Sequence, residues 1–196
     1  VKPEQRKKYF VPLIRSVTWD CLAMTEPEAG SDLRGMKASA QQDGSDWVLN
    51  GTKHFISHAD IADFSIVFMA TGEETTSRGP KKLITAFFVD KGTSGFEIRN
   101  GYKNVSHRGY TNSILEFTDC RIPNENILGE VNKGFEVANS WLGATRLQVA
   151  ATCIGRAERA FEHSVNWSAN RKQFGQSIGK FQGVSFKLAD MAMEIK

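Results

Sequence analysis

Two stretches, FSIVFMA at residues 64–70 and LITAFFV at residues 83–89, are each a nearly continuous apolar run of strand length. Runs of this kind, rich in β-branched and aromatic residues, indicate strands that are buried on both faces. Residues 115–118 instead alternate apolar and polar side chains, as a half-exposed strand does. Residues 71–80, between the two apolar runs, are polar and rich in turn formers, and we interpret them as a surface loop.

Turn formers recur at short intervals across residues 17–128, between segments rich in β-branched and aromatic side chains. This pattern is typical of an antiparallel β-barrel or sandwich. The clearest hairpin signal is Asn50-Gly51, because this pair readily supplies the two positive φ angles of a type I′ turn. We expect that turn to return residues 55–57 alongside Trp47.

Both ends of the chain follow helical patterns. A proline ahead of good helix formers at residues 3–10 predicts a short helix that runs to about Arg15. Apolar residues at spacings of three and four predict a long helix over residues 134–170, which would span roughly 55 Å. Gly175 is expected to end it, and a further helix to begin near Phe181. The fold class expected is therefore α+β, with a β-barrel or sandwich followed by a bundle of long helices.

Composition places the chain among ordinary globular proteins, since 40% of its 196 residues are apolar and 24% are charged. The net charge is +3 without a basic block, and no stretch has the roughly 18 apolar residues of a membrane span, so we expect neither nucleic acid nor a membrane as partner. The cysteines Cys21, Cys120 and Cys153 are odd in number and far apart, which indicates reduced thiols. We interpret Val1 and Lys196 as cuts within a longer chain.

Two stretches carry groups that suit an anionic ligand. In MTEPEAGSD at residues 24–32, successive backbone N–H groups and the Ser31 hydroxyl could hold a phosphate, and Gly30 permits close approach. An ordinary turn with a proline at its corner is the alternative that local physics favours. In RKQFG at residues 171–175, cations follow a helix, where a basic helix end stopped by glycine is the alternative.

The histidines do not form a recognisable catalytic or metal pattern. His54 and His58 have two aspartates close behind them, but their spacing matches no zinc motif, so we expect solvated polar groups and no metal site. His107 and His163 stand alone in the sequence. No serine–histidine–aspartate or cysteine–histidine ordering stands out.

These stretches, taken together, resemble one family. AMTEPEAGSD at residues 23–32, LNGTKHFIS at residues 49–57 and RKQFG at residues 171–175 follow one another as in the acyl-CoA dehydrogenases. SHRG at residues 106–109 and LEF at residues 115–117 fit later strands of the same family. The resemblance covers essentially the whole chain.

The resemblance implies three parts. Residues 1–17 would end an N-terminal helical domain, residues 18–130 would form a middle β domain, and residues 131–196 would begin a C-terminal helical bundle. It also implies an activity: FAD-dependent α,β-dehydrogenation of an acyl-CoA thioester to the trans-2-enoyl-CoA, by a homotetramer that passes electrons to an electron-transferring flavoprotein.

The resemblance also implies which residues hold the flavin against the β domain. Thr25 matches a threonine whose hydroxyl bonds the pyrimidine edge of the ring system, Phe55 an aromatic residue that flanks the ring, and Ser57 a hydroxyl close to flavin N5. Ser31 is further implied to lie near the substrate thioester. The contacts implied for FAD in this domain are Leu22, Ala23, Met24, Thr25, Gly30, Ser31, Phe55, Ile56 and Ser57.

A second set matches positions that contact the adenine half of an FAD held by a neighbouring subunit: Arg171, Gln173, Phe174 and Gln182. Arg146 matches an arginine beside the bound acyl-CoA. Gly143 departs from the acidic residue that some family members carry, which removes one implied contact to the CoA.

No residue of the chain is assigned as the catalytic base. In the family this glutamate stands either directly before the arginine matched by Arg146, where this chain has Thr145, or on a later helix. The resemblance therefore implies a base beyond Lys196. Glu26 and Glu28 are close to the flavin segment, but as turn residues they are expected to face solvent.

Two other functions fit the same residues. An acyl-CoA oxidase-like flavoenzyme would return its electrons to oxygen, and a non-catalytic fragment would only bind flavin or acyl-CoA. The reduced cysteines suit the bacterial cytoplasm and the mitochondrial matrix alike.

Overall fold

The two apolar runs form adjacent antiparallel strands of one sheet. A computed structural model describes residues 1–77, 79–106 and 108–196, with the backbone alone for Arg34, and within them this sheet has eight strands. In chain order the strands are β1 (Asp20–Ala23), β2 (Ser39–Asp43), β3 (Asp46–Ser57), β4 (Phe64–Thr76), β5 (Gly79–Asp90), β6 (Phe96–Tyr102), β7 (Asn112–Pro123) and β8 (Ile127–Leu128).

The sheet is mixed, which corrects the expectation of a purely antiparallel one. Its order is β6-β7-β3-β2-β4-β5-β8, with β1 beside β4. Strand β1 runs parallel to β4, from the pair Asp20 and Phe64 onward, and β2 meets β4 in parallel at Ser39. Parallel pairing arises because other strands intervene in the chain between these partners, so no hairpin joins them. The expected α+β class is confirmed.

Strands β4 and β5 are buried on both faces, as their apolar runs predict. Alternate residues point to two different clusters, so that Phe68 enters one and Met69 the other. The first cluster includes Cys21, Ala23, Ala38, Trp47, Leu49, Ile56, Val67, Met69, Phe87, Val89, Leu115 and Phe117. The second cluster includes Tyr9, Met36, Phe64, Phe68, Ile84, Ala86, Phe88, Leu128 and Ala138.

The prediction of a hairpin turn at Asn50-Gly51 is wrong. Strand β3 continues through both residues, and the turn that joins β2 to β3 lies at Gly44 and the residue after it, where Asp43 pairs with Asp46. Asn50-Gly51 lies at a register shift against β7, and Gly51 adopts a φ of 132°. Residues 55–57 therefore lie at the opposite end of β3 from Trp47, not beside it.

Most of the loop expected at residues 71–80 is strand. Strand β4 continues to Thr76, and cross-strand ion pairs join Glu73 to Lys82 at 2.8 Å and Glu74 to Lys81 at 2.7 Å. Opposite charges that face each other support a solvated hairpin without apolar residues. Arg78, within the expected loop, lies outside the described residues.

The N-terminal segment is helical, as predicted. It consists of α1 (Pro3–Gln5), a π-helical turn (Arg6–Phe10) and α2 (Val11–Ile14). The segment packs on the second cluster, where the Tyr9 ring stacks on Phe88 with centroids 4.2 Å apart. Two short 3-10 turns, Leu33–Gly35 and Asn124–Asn126, complete the β region.

The chain forms two compact units, residues 1–139 and 140–196. The predicted long helix, α3, runs over Gly134–Asn170, so that most of it belongs to the second unit. It is followed by β9 (Lys172–Gln173), β10 (Gln176–Ser177), a 3-10 turn (Ile178–Lys180) and α4 (Gln182–Ile195).

The expectation that Gly175 ends the long helix needs a correction, because α3 already ends at Asn170. Phe174 and Gly175, with φ values of 50° and 79°, form the two-residue turn between β9 and β10 instead. Two successive positive φ angles are those of a type I′ turn.

Candidate functional site

The TEPEA segment forms a tight turn after β1. The backbone N–H of Glu26 donates to the Ala29 carbonyl at 2.9 Å, and the N–H of Ala29 donates back to the Glu26 carbonyl at 3.2 Å. Pro27 occupies the first corner of this turn, where its fixed φ is favourable. The side chain of Glu28 is exposed, as expected, and forms an ion pair with Lys37.

Glu26 is buried, which corrects the expectation that it faces solvent. Its side chain is only 4% exposed, and its carboxylate accepts a hydrogen bond from Lys53 Nζ at 2.6 Å. The backbone N–H groups of Lys37 and Ala38 donate to the same carboxylate at 2.7 and 3.2 Å. The carboxylate therefore joins its own turn to β3 and to the residues that precede β2.

Lys53 is the functional candidate that the sequence reasoning missed. Its side chain is fully buried, and Nζ also donates to the Met24 carbonyl at 3.2 Å. Burial lowers the pKa of Lys53 from 10.5 to about 8, and the charge and hydrogen bond of Glu26 oppose that shift. A signal was available, because Lys53 follows Trp47 and Leu49 on the buried alternation of β3.

The segment from Leu22 to Thr25 lies against β3 and β4. Ala23 is completely buried in the first cluster, whereas Leu22 and Met24 pack, half-buried, against the second. The Thr25 carbonyl accepts a hydrogen bond from the backbone N–H of His54 at 2.9 Å. The structure thus brings the segments of two sequence motifs, which are separated by more than twenty residues, into direct contact.

A bulge at the end of β3 presents Phe55 to the surface. Between Lys53 and Ile56, two residues of β3 lie opposite one residue of β7, and Phe55 adopts a φ of 55°. Its ring is 47% exposed and stacks on Tyr102, with centroids 4.3 Å apart. Bulges commonly redirect side chains in this way. Tyr102 carries no motif signal, and the sequence reasoning did not single it out.

Beyond the bulge, Ile56 returns to the core and Ser57 lies half-buried at the strand end. The Ser57 hydroxyl accepts a hydrogen bond from the Tyr110 hydroxyl. Tyr102 and Tyr110 line a cleft of about 480 Å³ whose wall also carries Lys103 and Arg108.

Gly30 and Ser31 are exposed after the turn. A methyl group added at Gly30 would meet no atom within 4 Å, so the fold of this unit does not itself require glycine there. Open space at a backbone position leaves room for a ligand to approach closely.

The histidines take local roles. His54 Nδ1 lies 3.0 Å from the Tyr102 hydroxyl, and the His58 ring packs edge-on against Tyr110. Among the residues that the structure describes, no group of three or more histidine, cysteine or acidic side chains is arranged to hold a metal ion. His107 lies outside those residues. No described helix has the length and hydropathy that a membrane crossing requires.

In the second unit, the hairpin after α3 displays Phe174 at its tip. The Phe174 side chain is 94% exposed, and the Arg171 carbonyl accepts a hydrogen bond from the Ile178 N–H at 2.9 Å, which closes the base of the hairpin. Gln182 begins α4, and Gln173 lies on the exposed strand β9.

On α3, Arg146 is exposed, and the hydroxyl of Thr145 donates to the Trp141 carbonyl one turn earlier at 3.1 Å. A threonine that bonds its own helix in this way supplies no carboxylate to the site.

Comparison with known proteins decides the family. The family model "Acyl-CoA dehydrogenase, middle domain" matches residues 21–120, and "Acyl-CoA dehydrogenase, C-terminal domain" matches residues 132–196. The chain belongs to the acyl-CoA dehydrogenase family.

Individual acyl-CoA dehydrogenases match over the whole chain. A short-chain specific acyl-CoA dehydrogenase of Megasphaera elsdenii is 40% identical over 195 residues, 98% of this chain and 49% of that protein. A mitochondrial short-chain specific enzyme of Sus scrofa is 36% identical over 193 residues, 98% of this chain and 46% of that protein. The chain thus spans about half the length of the curated relatives it matches.

Solved structures agree. Butyryl-CoA dehydrogenase from Megasphaera elsdenii superimposes with a TM-score of 0.89 at 38% identity, over 99% of this chain and 50% of that one. A structure described as the FAD complex of PigA gives a TM-score of 0.90 at 30% identity, over 99% of this chain and 50% of that one. The chain is also similar to the caffeyl-CoA reductase-Etf complex subunit CarC of Acetobacterium woodii. The identity is 37% over 193 residues, which are 98% of this chain and 50% of that protein.

Proposed function

We propose that the protein is an FAD-dependent acyl-CoA dehydrogenase that converts an acyl-CoA thioester to the trans-2-enoyl-CoA. The observation that carries this proposal is the hydrogen bond from His54 N–H to the Thr25 carbonyl, because it joins the segment of Thr25 to the segment of Phe55 and Ser57. One ring system could then contact a hydroxyl and an exposed aromatic face from two separate motifs. The family membership supports the same reading.

The residues present suit FAD. Phe55 offers an exposed ring, Thr25 and Ser57 offer hydroxyls at half-buried positions, and Gly30 leaves its surroundings open. Bound FAD would supply the hydride acceptor that an unactivated carbon requires. Ser31 would contact both the pyrophosphate and the substrate thioester.

The remaining residues assigned to FAD in the β region would contact it either through the backbone or through side-chain atoms. The side chains of Ala23 and Ile56 are buried, so these residues would contribute only through their backbone. Leu22 and Met24 are half-buried and could line the site with side-chain atoms.

The second unit would serve a neighbouring subunit. We assign the adenine half of that subunit's FAD to Arg171, Gln173, Phe174 and Gln182, and the bound acyl-CoA to Arg146. A phenylalanine that is 94% exposed supports such a contact, because within its own unit the ring has only an edge-on neighbour, Phe181, with centroids 6.2 Å apart, and most of its surface is open. The assignment implies an oligomer, and we propose a homotetramer.

The α-proton of the substrate must be removed by a positioned carboxylate whose pKa is raised by its site. Family resemblance puts this carboxylate either at the position of Thr145, which has none, or on a later helix, and Glu26 is engaged by Lys53. We therefore propose that the base lies outside these 196 residues.

We further propose an electron-transferring flavoprotein as the electron acceptor, consistent with the name of the CarC relative. The division into residues 1–17, 18–130 and 131–196 is proposed as the domain organisation. The bacterial cytoplasm or the mitochondrial matrix is proposed as the location, in keeping with bacterial and mitochondrial relatives and with three unpaired cysteines.

Because the proposed base lies outside these 196 residues, an anaerobic titration of the purified full-length protein tests the activity. Butyryl-, octanoyl- and isovaleryl-CoA are added separately while the long-wavelength absorption band of the flavin is recorded. Bleaching by at least one thioester, with formation of the enoyl-CoA, is expected. Stoichiometric hydrogen peroxide on admission of air would indicate an oxidase instead. A protein that cannot be loaded with FAD would contradict the proposal.

A further inference from the structure

The ion pair between Lys53 and Glu26 is the most deeply buried charged contact that the structure describes. Lys53 is 0% exposed and Glu26 is 4% exposed, whereas both side chains of every other described ion pair are at least 33% exposed. Its bonds converge from four segments: the Met24 carbonyl, the Glu26 turn, the backbone that precedes β2, and β3 itself.

The pair stands between the two sets of residues assigned above to the flavin. Glu26 directly follows Thr25, and Lys53 lies two residues before Phe55, on the strand side of the bulge that turns the Phe55 ring outward. Lys53 pairs in register with Leu115, so its side chain lies on the face of the first cluster. A shift of the turn relative to β3 would therefore move Thr25 relative to Phe55 and Ser57.

Stability alone does not account for this arrangement. Removing two charges from water is costly, and well-packed apolar residues in place of a buried ion pair often stabilise a fold. Unlike apolar contacts, the hydrogen bonds of a charged pair are directional, because each bond fixes a distance and an angle between its two groups. Glu26 receives three donors and Lys53 serves two acceptors, so the pair specifies the position of the turn on the strand.

We propose that Lys53 and Glu26 are positioning residues of the flavin site, which hold the turn after Thr25 against β3 so that both segments contact one ring system. This inference rests on the proposed function. Because both side chains are buried, the pair would act on the flavin through the two segments and not by direct contact.

The test compares two double variants. Lys53→Met/Glu26→Leu replaces the buried pair with apolar side chains of similar size. Lys37→Met/Glu28→Leu makes the same change in the exposed ion pair of the same turn and serves as the control. Three quantities are measured for each purified protein: the urea midpoint of the FAD-free form, the dissociation constant for FAD, and the absorption spectrum of the bound flavin.

For the buried double variant we expect an unchanged or higher urea midpoint, at least about tenfold weaker FAD binding, and a shifted flavin spectrum. The exposed double variant should bind FAD within about twofold of the unmodified protein. The single variant Glu26→Gln, which keeps an acceptor oxygen for Lys53, should lose less affinity than the buried double variant.

Wild-type FAD affinity and spectrum in the buried double variant would overturn the positioning role. So would a failure of that variant to fold, since the pair would then be required for the fold itself. If the unmodified protein does not bind FAD, the proposed function fails, and the positioning role with it.

Discussion

Asn50 and Asp119 exchange two hydrogen bonds across the β3–β7 pair: Asn50 Nδ2 donates to Asp119 Oδ1 at 3.1 Å, and the Asp119 N–H donates to Asn50 Oδ1 at 2.8 Å. Asp119 adopts a φ of 46°, a conformation rare for residues other than glycine, and an extra residue of β7 is accommodated at this point. The asparagine side chain thus replaces the ladder bonds that the bulge interrupts.

Asn50→Ala should destabilise the protein by about 1 kcal/mol, because both bonds are lost and the bulge keeps its strained residue. The urea midpoint measures the effect. Asn50→Asp should cost more, since it removes a donor and places a like charge beside Asp119. Equal midpoints for Asn50→Ala and the unmodified protein would show that the bulge needs no side-chain support.

Gly51→Ala should be severely destabilising, by about 3 kcal/mol or more. A Cβ at Gly51 would lie 2.5 Å from Ala38 Cβ and 2.6 Å from its Cα, and the φ of 132° is unfavourable for alanine. Gly44→Ala is the matched control, since Gly44 has a positive φ of 64° but no atom within 4 Å of an added Cβ. It should cost only about 1 kcal/mol. Similar losses in urea denaturation for both variants would contradict the steric argument.

The buried thiols should resist alkylation. Burial raises the pKa of Cys21 and of Cys120 to about 11, so that only about a thousandth of either is thiolate at pH 8. Cys153 is exposed. Iodoacetamide at pH 8 followed by peptide mass spectrometry should find Cys153 modified in the folded protein, and the other two modified only in urea. Rapid native modification of Cys21 or Cys120 would show that the first cluster opens readily.

Stability should rise with pH above 8 through Lys53. The folded protein releases the Lys53 proton near pH 8, whereas the unfolded chain keeps it to about 10.5, so folding releases a proton between these values and becomes more favourable as pH increases. The slope is at most about 1.4 kcal/mol per pH unit. Urea midpoints from pH 7 to 10 should therefore rise relative to those of Lys53→Met, and parallel curves would exclude the shift.

Phe174→Asn should stabilise the hairpin after α3 by about 0.5 kcal/mol, because Asn-Gly is the preferred pair for a type I′ turn. If Phe174 contacts the adenine of FAD, the same variant should bind FAD about threefold to tenfold more weakly. Thermal denaturation and FAD titration separate the two effects. A variant that is more stable and binds FAD equally well would remove Phe174 from the site.

Local sequence patterns predicted those strands and helices whose burial can be read from their own residues. The runs at residues 64–70 and 83–89 are apolar apart from Ser65 and Thr85, and strands covered on both faces use nearly every position of such a run. The long helix followed from apolar periodicity, and the N-terminal helix from a proline that precedes good helix formers.

The errors arose where the partner lies far along the chain. Asn50-Gly51 has the composition of a turn, but its environment is set by Ala38 and Asp119, which lie on other segments. Glu26 has the composition of an exposed turn residue, but its partner Lys53 is 27 positions away. The family motif supplied the candidate flavin contacts, and geometry was needed to add Lys53 and Tyr102.

The two-sided burial of β4 also determines where the chain can change length. One extra residue between Phe64 and Ala70 would exchange the occupants of the two clusters, because neighbouring side chains point in opposite directions. Between Ala70 and Gly72 the strand already accommodates one unpaired residue, and beyond Gly72 its lysine–glutamate pairs face water. Insertions in natural variants, or a reporter peptide added in the laboratory, should therefore be tolerated in the outer half of the β4–β5 hairpin and nowhere nearer its base.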